Sequence, residues 1–384
     1  MILVLNAGSS SLRCALFRPG EPVPAWRAHV SDIGKAPRVS IDGEADDGAG
    51  PPARDHAGVA RWLFARLPAP PSVAGHRVVH GGLRYAAPAR VDAEVVGALE
   101  RLVPLAPAHQ PQALACLREV EATWPGLPQV ACFDTAFHRS QDRLAQLYPL
   151  PRDLLDAGLV RFGFHGLSYA HVARSYPQGR VLAAHLGHGA SLCAIRDGRS
   201  VATTMGFTTL DGLMMGTRSG AVDPGLVLHL IRERGLSPGA VSTLLNERSG
   251  LLGVSGISDD VRDLEASDDP SAREALDLFV YRIVREAGSL VAALGGLDVL
   301  VFTGGIGEHS ARVRAGVCAG LVFAGIALDE AANRAGRASL GTPATRVLVR
   351  IAPADEEREI ALSVADLVDE AAPSRMRLDV PQGG

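Results

Sequence analysis

Two stretches of this chain, GSSSLRCALF (8–17) and HGASLCAIRD (188–197), lie over one another with Ser11 on Ser191 and Leu12 on Leu192. Each sits where one apolar run ends and the next begins, so each reads as strand, glycine-rich turn, strand. A chain that repeats this unit so far along is expected to fold as two related halves with a cleft between them. The matched stretch is short. Coincidence, or one style of glycine hairpin used twice, gives the same pattern, and both alternatives stand at this point.

The rest of the pattern is that of an α/β protein. Strands are expected at 2–6, 12–17 and around 25–30, followed by an irregular segment at 31–53 with an exposed loop, DGEADDGAGPP. Helical periodicity follows near 55–66, 92–102 and 111–122, with apolar strands at 73–79 and 129–133 between them. A second series opens with RVLAAHL at 180, SLCAIRDG and RSVATTM. Helices at about 224–234, 238–246 and 270–293 precede a buried strand, DVLVF (298–302), and a last helix is expected at about 356–370.

Composition narrows the function classes. With 384 residues, 47% of them hydrophobic, the chain can bury two cores. A net charge of −4 gives no general nucleic-acid-binding surface. The five cysteines (14, 116, 132, 193, 318) are scattered and never form C-x-x-C, which is neither a disulfide framework nor a zinc site; a reducing cytoplasm is the simplest reading. The first residues lack the basic start of a signal peptide, and their apolar run breaks at Asn6. The longest apolar stretch, SLVAALGGLDVLVF (289–302), is interrupted by Gly295-Gly296 and Asp298 and is too short to span a bilayer.

Four glycine-rich turns, each expected after a strand, are candidates for holding phosphate: NAGSSS (6–11), HLGHGAS (185–191), SGISDD (255–260) and FTGGIGE (302–308). Small residues let backbone N–H groups approach an anion closely, and four such turns argue for a polyphosphate and its nucleoside. No G-x-x-x-x-G-K-[ST] and no G-x-G-x-x-G after the first strand is present, so a nucleotide is held in another way. Arg77 in GHRVVHGG and Arg218 in GLMMGTRSG suit a carboxylate or phosphate gripped by paired N–H donors; the competing reading is a structural ion pair. Asp134 follows a strand, where α/β sheets commonly place active groups. Asn6 and Glu356 suit magnesium, which takes one or two carboxylates and fills its shell with water and phosphate oxygens; Glu356 also suits the start of a helix. Among twelve histidines, His109, His138 and His165 stand out, the last flanked by Gly163 and Gly166, although a lone histidine is more often structural.

Taken together, LVLNAGSSSL, GHRVVHGG, FDTAFH, RFGFHGLSY, HLGHGAS, MGFTTLDGLMMGTRSGAVDPG, SGISDDVRDL and FTGGIGEHS resemble the acetate kinase family in its own order across residues 3 to 310, with a weaker match at 351–361. The resemblance implies an actin-like α/β fold of two duplicated, ribonuclease H-like domains with a nucleotide cleft. One would be 1–147, completed by a C-terminal helix at 358–384; the other, 148–357, would carry most nucleotide contacts. It implies a kinase using ATP and acetate to give ADP and acetyl phosphate, with Mg2+ (Mn2+ as the alternative ion), in a cytoplasmic homodimer with no nucleic-acid or membrane partner. Arg77, Val79, His109 and Phe164 would face the acyl substrate, and Asp134, His165, Arg218 and Arg77 would be catalytic. Asn6 and Glu356 would organise the metal. Ser9, Ser11, Arg13, the run His185, Leu186, Gly187, His188 and Gly189, the run Asp260, Val261 and Arg262, and the run Gly305, Ile306, Gly307, Glu308 and His309 would contact ATP.

The chain departs from the family pattern at several of these places. His188 and His309 stand where Asn is usual, Arg13 for Lys, Asp355 for Asn, Ala108 for Leu and Thr209 for Pro. A propionate- or butyrate-preferring kinase is therefore the alternative enzyme, and a non-catalytic actin-like nucleotide-binding regulator the alternative of another class.

Overall fold

The computed structural model describes residues 1–45 and 50–370. By contact density the chain forms two compact units. Of the described residues, the first comprises Met1–Val79, Ala87–Phe133 and Glu356–Glu370; the second comprises His80–Ala86 and Asp134–Asp355.

The first unit is built on β1 (Ile2–Ala7), β2 (Leu12–Phe17), β3 (Trp26–Ser31), β4 (Arg38–Ile41), β5 (Glu44–Ala45), β6 (Val73–Val78), β7 (Ala89–Arg90) and β8 (Gln129–Phe133). They form one mixed sheet in the order β5-β4-β3-β2-β1-β6-β8-β7. β1 is buried along its whole length, as a central strand covered on both faces must be. Leu3, Leu5, Leu12 and Leu16 pack with Val59 and Leu63 of the helix His56–Phe64 and with Cys116 and Val120 of the helix Gln110–Thr123. The last described helix, Glu356–Glu370, packs on β1 and β6. Gly75 makes that possible: a Cβ there would come 2.6 Å from Val364 Cγ2 and 2.7 Å from Ile360 Cγ2. The close seat brings the start of the helix to the end of β1.

The second unit carries β9 (Arg180–Leu186), β10 (Ala190–Arg196), β11 (Arg199–Thr203), β12 (Val299–Thr303) and β13 (Leu348–Ile351), in the order β11-β10-β9-β12-β13. The central part of the first sheet, β3-β2-β1-β6-β8, has the same plan. In each, three antiparallel strands are followed by two parallel ones. The related halves expected from the short repeat are thus present as topology. The hairpins differ by a residue: Ala7 pairs with Leu12, whereas Leu186 pairs with Ala190. Ser191 consequently lies inside β10, opposite His185, while Ser11 stays in its turn.

Several local expectations are corrected. Part of the segment 31–53 is regular, because Asp42-Gly43, both with positive φ, turn β4 into β5; residues 46–49 of its loop lie outside the described residues. SGISDD follows a helix, Gly250–Ser255, with Gly256 as its left-handed cap, and not a strand. In FTGGIGE the glycines begin a short helix, Gly304–His309, rather than an open turn. The C-terminal helix starts at Glu356, and the part expected at 371–384 lies outside the described residues. The contact-defined change at Phe133–Asp134 lies upstream of residue 147, since the segment after β8 is tied within the second unit: His138 bonds Ser200 and the carbonyl of Phe164. All five cysteines are buried. Among the described residues no helix is long and apolar enough to cross a membrane.

Candidate active site

In the first unit the polar cluster centres on Asn6, 5% exposed at the end of β1. Its amide nitrogen donates to Glu356 Oε2 (2.9 Å) and Glu357 Oε1 (2.7 Å), and its oxygen accepts from Arg77 Nη1 (3.2 Å). Arg77 Nε lies 3.8 Å from Glu356 Oε2, and Arg13 Nη1 lies 3.9 Å from Glu357 Oε1. Burial pushes the Glu357 carboxyl above its ordinary range, against the pull of Arg13. Two carboxylates and an amide are hard oxygen donors and fit Mg2+ or Mn2+ completed by water and phosphate. Among the described residues no group of three or more His, Cys, Asp or Glu side chains suits a metal. Glu357 was missed in the sequence because DEERE reads as an acidic helix start.

The adjoining turn is held by a residue that sequence reasoning also missed. His56 Nε2 donates to the carbonyls of Gly8 (2.9 Å) and Ser11 (3.3 Å), and Gly8 N donates to Ser11 O (2.8 Å). Ser9 is exposed and Ser11 half-buried. Val79 is buried at 2%, Ala108 is exposed, and His109 is half-buried just ahead of the helix Gln110–Thr123.

In the second unit Asp134 is 1% exposed, and its carbonyl accepts from Gly166 N (2.9 Å). This fixes the start of the helix Gly166–Ser175. His138 is structural: it is fully buried, which pushes its pKa down to about 4, and its Nε2 donates to Phe164 O (2.9 Å). With Phe164 held on one side and Gly166 on the other, His165 takes a left-handed conformation (φ +58°), which a non-glycine residue adopts only under firm restraint. His165 Nδ1 lies 2.8 Å from Ser191 Oγ, and its ring stacks on His185 at 4.3 Å.

Arg218 belongs to a loop fastened along its length. Its Nη1 donates to Thr209 O (2.7 Å), and Arg161, also missed from sequence, ties down the carbonyls of Thr204 and Met205 and the Asp211 carboxylate. Burial lowers the Arg218 pKa to about 10, which leaves it cationic at neutral pH. Arg218 and His165 meet over one glycine. A Cβ on Gly189 would come 2.9 Å from Arg218 Nη2 and 3.4 Å from His165 Nε2.

A cavity of about 370 Å³ in this unit is lined by Gly187 and His188, by Asp259, Asp260, Val261, Arg262 and Glu265, and by Gly305, Ile306, His309 and Ser310. Three stretches singled out from sequence therefore converge. The volume suits a small-molecule site. His188 Nε2 donates to Asp259 Oδ2 (3.0 Å), while Asp260 is engaged by Arg262, which holds its carboxyl below the ordinary range. Other expected contacts lie off this lining. Leu186 is fully buried, Gly307 is buried, and Glu308 Oε1 accepts from Ala354 N (2.9 Å). Ser9, Ser11 and Arg13 are in the first unit.

The sequence model of the Acetokinase family matches residues 1–362. The chain belongs to the acetokinase family. It is 45% identical to an acetate kinase of Nitrobacter hamburgensis, covering 98% of both chains, and 46% identical to one of Rhodopseudomonas palustris, covering 96% of this chain and 98% of that one. The crystal structure of Porphyromonas gingivalis acetate kinase matches with a TM-score of 0.85 at 34% identity, covering 96% of this acetokinase and 99% of the other chain. A propionate kinase from Francisella tularensis matches with a TM-score of 0.87 at 32% identity, covering 94% and 98%. As an acetokinase the chain is a phosphotransferase with a carboxyl group as acceptor.

Proposed function

We propose that the chain catalyses reversible, Mg2+-dependent phosphoryl transfer from ATP to acetate, giving ADP and acetyl phosphate. The observation that carries this reading is the convergence of Arg218 Nη2 and His165 Nε2 over Gly189, in the loop whose Gly187 and His188 line the cavity. A carboxylate is already a nucleophile, so the protein must position it and neutralise charge. Arg77 grips the acyl carboxylate through N–H donors, its guanidinium steadied by Asn6 and Glu356. Asp134 orients the carboxylate. Arg218 and His165 donate to the phosphoryl oxygens as charge develops. The cavity takes the nucleoside and the HLGHG backbone the phosphates. Asn6 and Glu356, with Glu357 beside them, would hold the metal ion. When bound, Mg2+ supplies charge neutralisation at the phosphate oxygens.

We propose further that the protein is a cytoplasmic homodimer. Its buried, free cysteines suit a reducing compartment. The helix Pro224–Arg232 is rich in apolar residues yet buries none, with Leu226 and Leu228 about half exposed at 47% and 48%. Such a face suits a second copy.

Trapping acyl phosphate with hydroxylamine, over acetate, propionate and butyrate with ATP and Mg2+, tests the activity. Acyl hydroxamate from acetate is expected. No product with any of the three would favour the nucleotide-binding regulator instead.

A further inference from the structure

The second unit contains a buried hydroxyl chain behind His165 that the proposed reaction does not itself use. Tyr169, on the helix Gly166–Ser175, and Ser191, on β10, are both fully buried. Tyr169 Oη lies 2.5 Å from Ser191 Oγ, and Ser191 Oγ lies 2.8 Å from His165 Nδ1.

The direction of these bonds follows from counting hydrogens. Burial raises the phenol pKa well above its ordinary value and keeps it protonated. The phenol hydrogen therefore needs an acceptor, and Ser191 Oγ is the one in reach. Ser191 then has its own hydrogen to place, and His165 Nδ1 is the partner in reach. If Nδ1 carried a proton instead, two donors would point at one serine oxygen and the serine hydrogen would be buried without an acceptor, an arrangement that folded proteins avoid. His185 does not compete for the serine, because its Nδ1 meets Ser168 Oγ at 2.9 Å.

We propose that Ser191, oriented by Tyr169, is a positioning residue that holds His165 as the neutral tautomer with its proton on Nε2. The Nε2 edge is the one turned to Gly189 and Arg218. His165 therefore presents a hydrogen-bond donor beside the guanidinium rather than a lone pair, as stabilisation of phosphoryl oxygens requires. The inference rests on the reading of His165 as a donor to the transferring group, and it assigns that donor its second partner.

Ring-nitrogen NMR on 15N-histidine-labelled protein, with His165→Gln for assignment, reads the tautomer without turnover. The expected wild-type signal is a protonated Nε2 and a bare Nδ1. Ser191→Ala and Tyr169→Phe should each mix or reverse the tautomers, and Ser191→Thr should restore the wild-type pattern. In the hydroxamate assay Ser191→Ala should lower kcat about ten- to a hundredfold, by analogy with loss of the outer hydrogen-bond partner of a metal-ligating histidine, with the KM for ATP little changed. A wild-type His165 protonated on Nδ1, or a tautomer unmoved in both Ser191→Ala and Tyr169→Phe, overturns the relay. Because the NMR needs no catalysis, failure of the acyl kinase reading and failure of the relay are seen separately.

Discussion

At the scale of single residues, each candidate side chain is held by a near neighbour: Arg77 by Asn6 and Glu356, His165 by Ser191, and Arg218 by a backbone carbonyl. Arg218 is tethered through Nη1 to Thr209 O, which leaves Nη2 at Gly189. Arg218→Ala should lower kcat by about 10²–10³, the range for loss of one transition-state donor, with a much smaller change in the KM for ATP. Near-normal turnover at saturating substrates would contradict the assignment. Glu356→Gln keeps an acceptor for Asn6 but loses the anion; the Mg2+ concentration giving half-maximal rate should rise, and an unchanged metal dependence would remove Glu356 from the metal. The acyl preference belongs here too. Ala108 is exposed, so a longer side chain has room there. The wild type is expected to use propionate with kcat/KM comparable to that for acetate. Ala108→Leu should shift the ratio toward acetate, a methylene being worth roughly 1–3 kcal/mol in a fitted pocket. Strong rejection of propionate by the wild type, or ratios unmoved by the leucine, would exclude an enlarged pocket.

At the scale of elements, the close approach of Arg218 and His165 to the loop between β9 and β10 depends on a glycine without a side chain. Gly189→Ala should leave the far-UV spectrum unchanged and depress kcat strongly, because the added methyl presses on Arg218 and His165 together. Wild-type kcat in that variant would show the close approach to be immaterial. Much of this was legible beforehand. The strand β12 and the helix Pro270–Leu294 announce themselves by an unbroken apolar run and by long periodicity. The start of the helix at Gly304 was hidden because two glycines in succession imitate a turn. Arg161 and His56 gave no signal, since most of their partners are backbone carbonyls, which carry no sequence identity, and the carboxylate of Asp211 lies 50 positions from Arg161. Asn6 beside Glu356 was expected, although 350 positions separate them, whereas the second carboxylate was not.

At the scale of the whole molecule, three buried histidines set the acid limit. His76, His80 and His138 are almost completely buried, and burial lowers each pKa from 6.5 to about 4. The folded state thus holds these rings neutral while the unfolded chain protonates them. Stability is full above about pH 6.5 and falls as pH drops toward 4, by about 1.4 kcal/mol per pH unit for each ring in that window. The urea midpoint should therefore decrease steadily from about pH 7 to about pH 5, and a flat midpoint would refute this. The duplicated sheet plan could be foreseen from one short repeat because hairpin chemistry is local. The added β4–β5 hairpin could not, because it lies at the sheet's edge and extends a plan already complete.

The buried cysteines turn the chain into its own unfolding reporter. Burial raises all five thiols far above the range in which they ionise, to about 12 for Cys116, Cys132, Cys193 and Cys318 and higher for Cys14. Alkylation of the native protein is accordingly limited by opening of the structure, not by reagent. Three of the thiols lie in the first unit and Cys193 and Cys318 in the second. Peptide-resolved labelling by iodoacetamide therefore times each unit's opening separately, with no engineered probe, and one shared rate would mean that both units come apart in a single event.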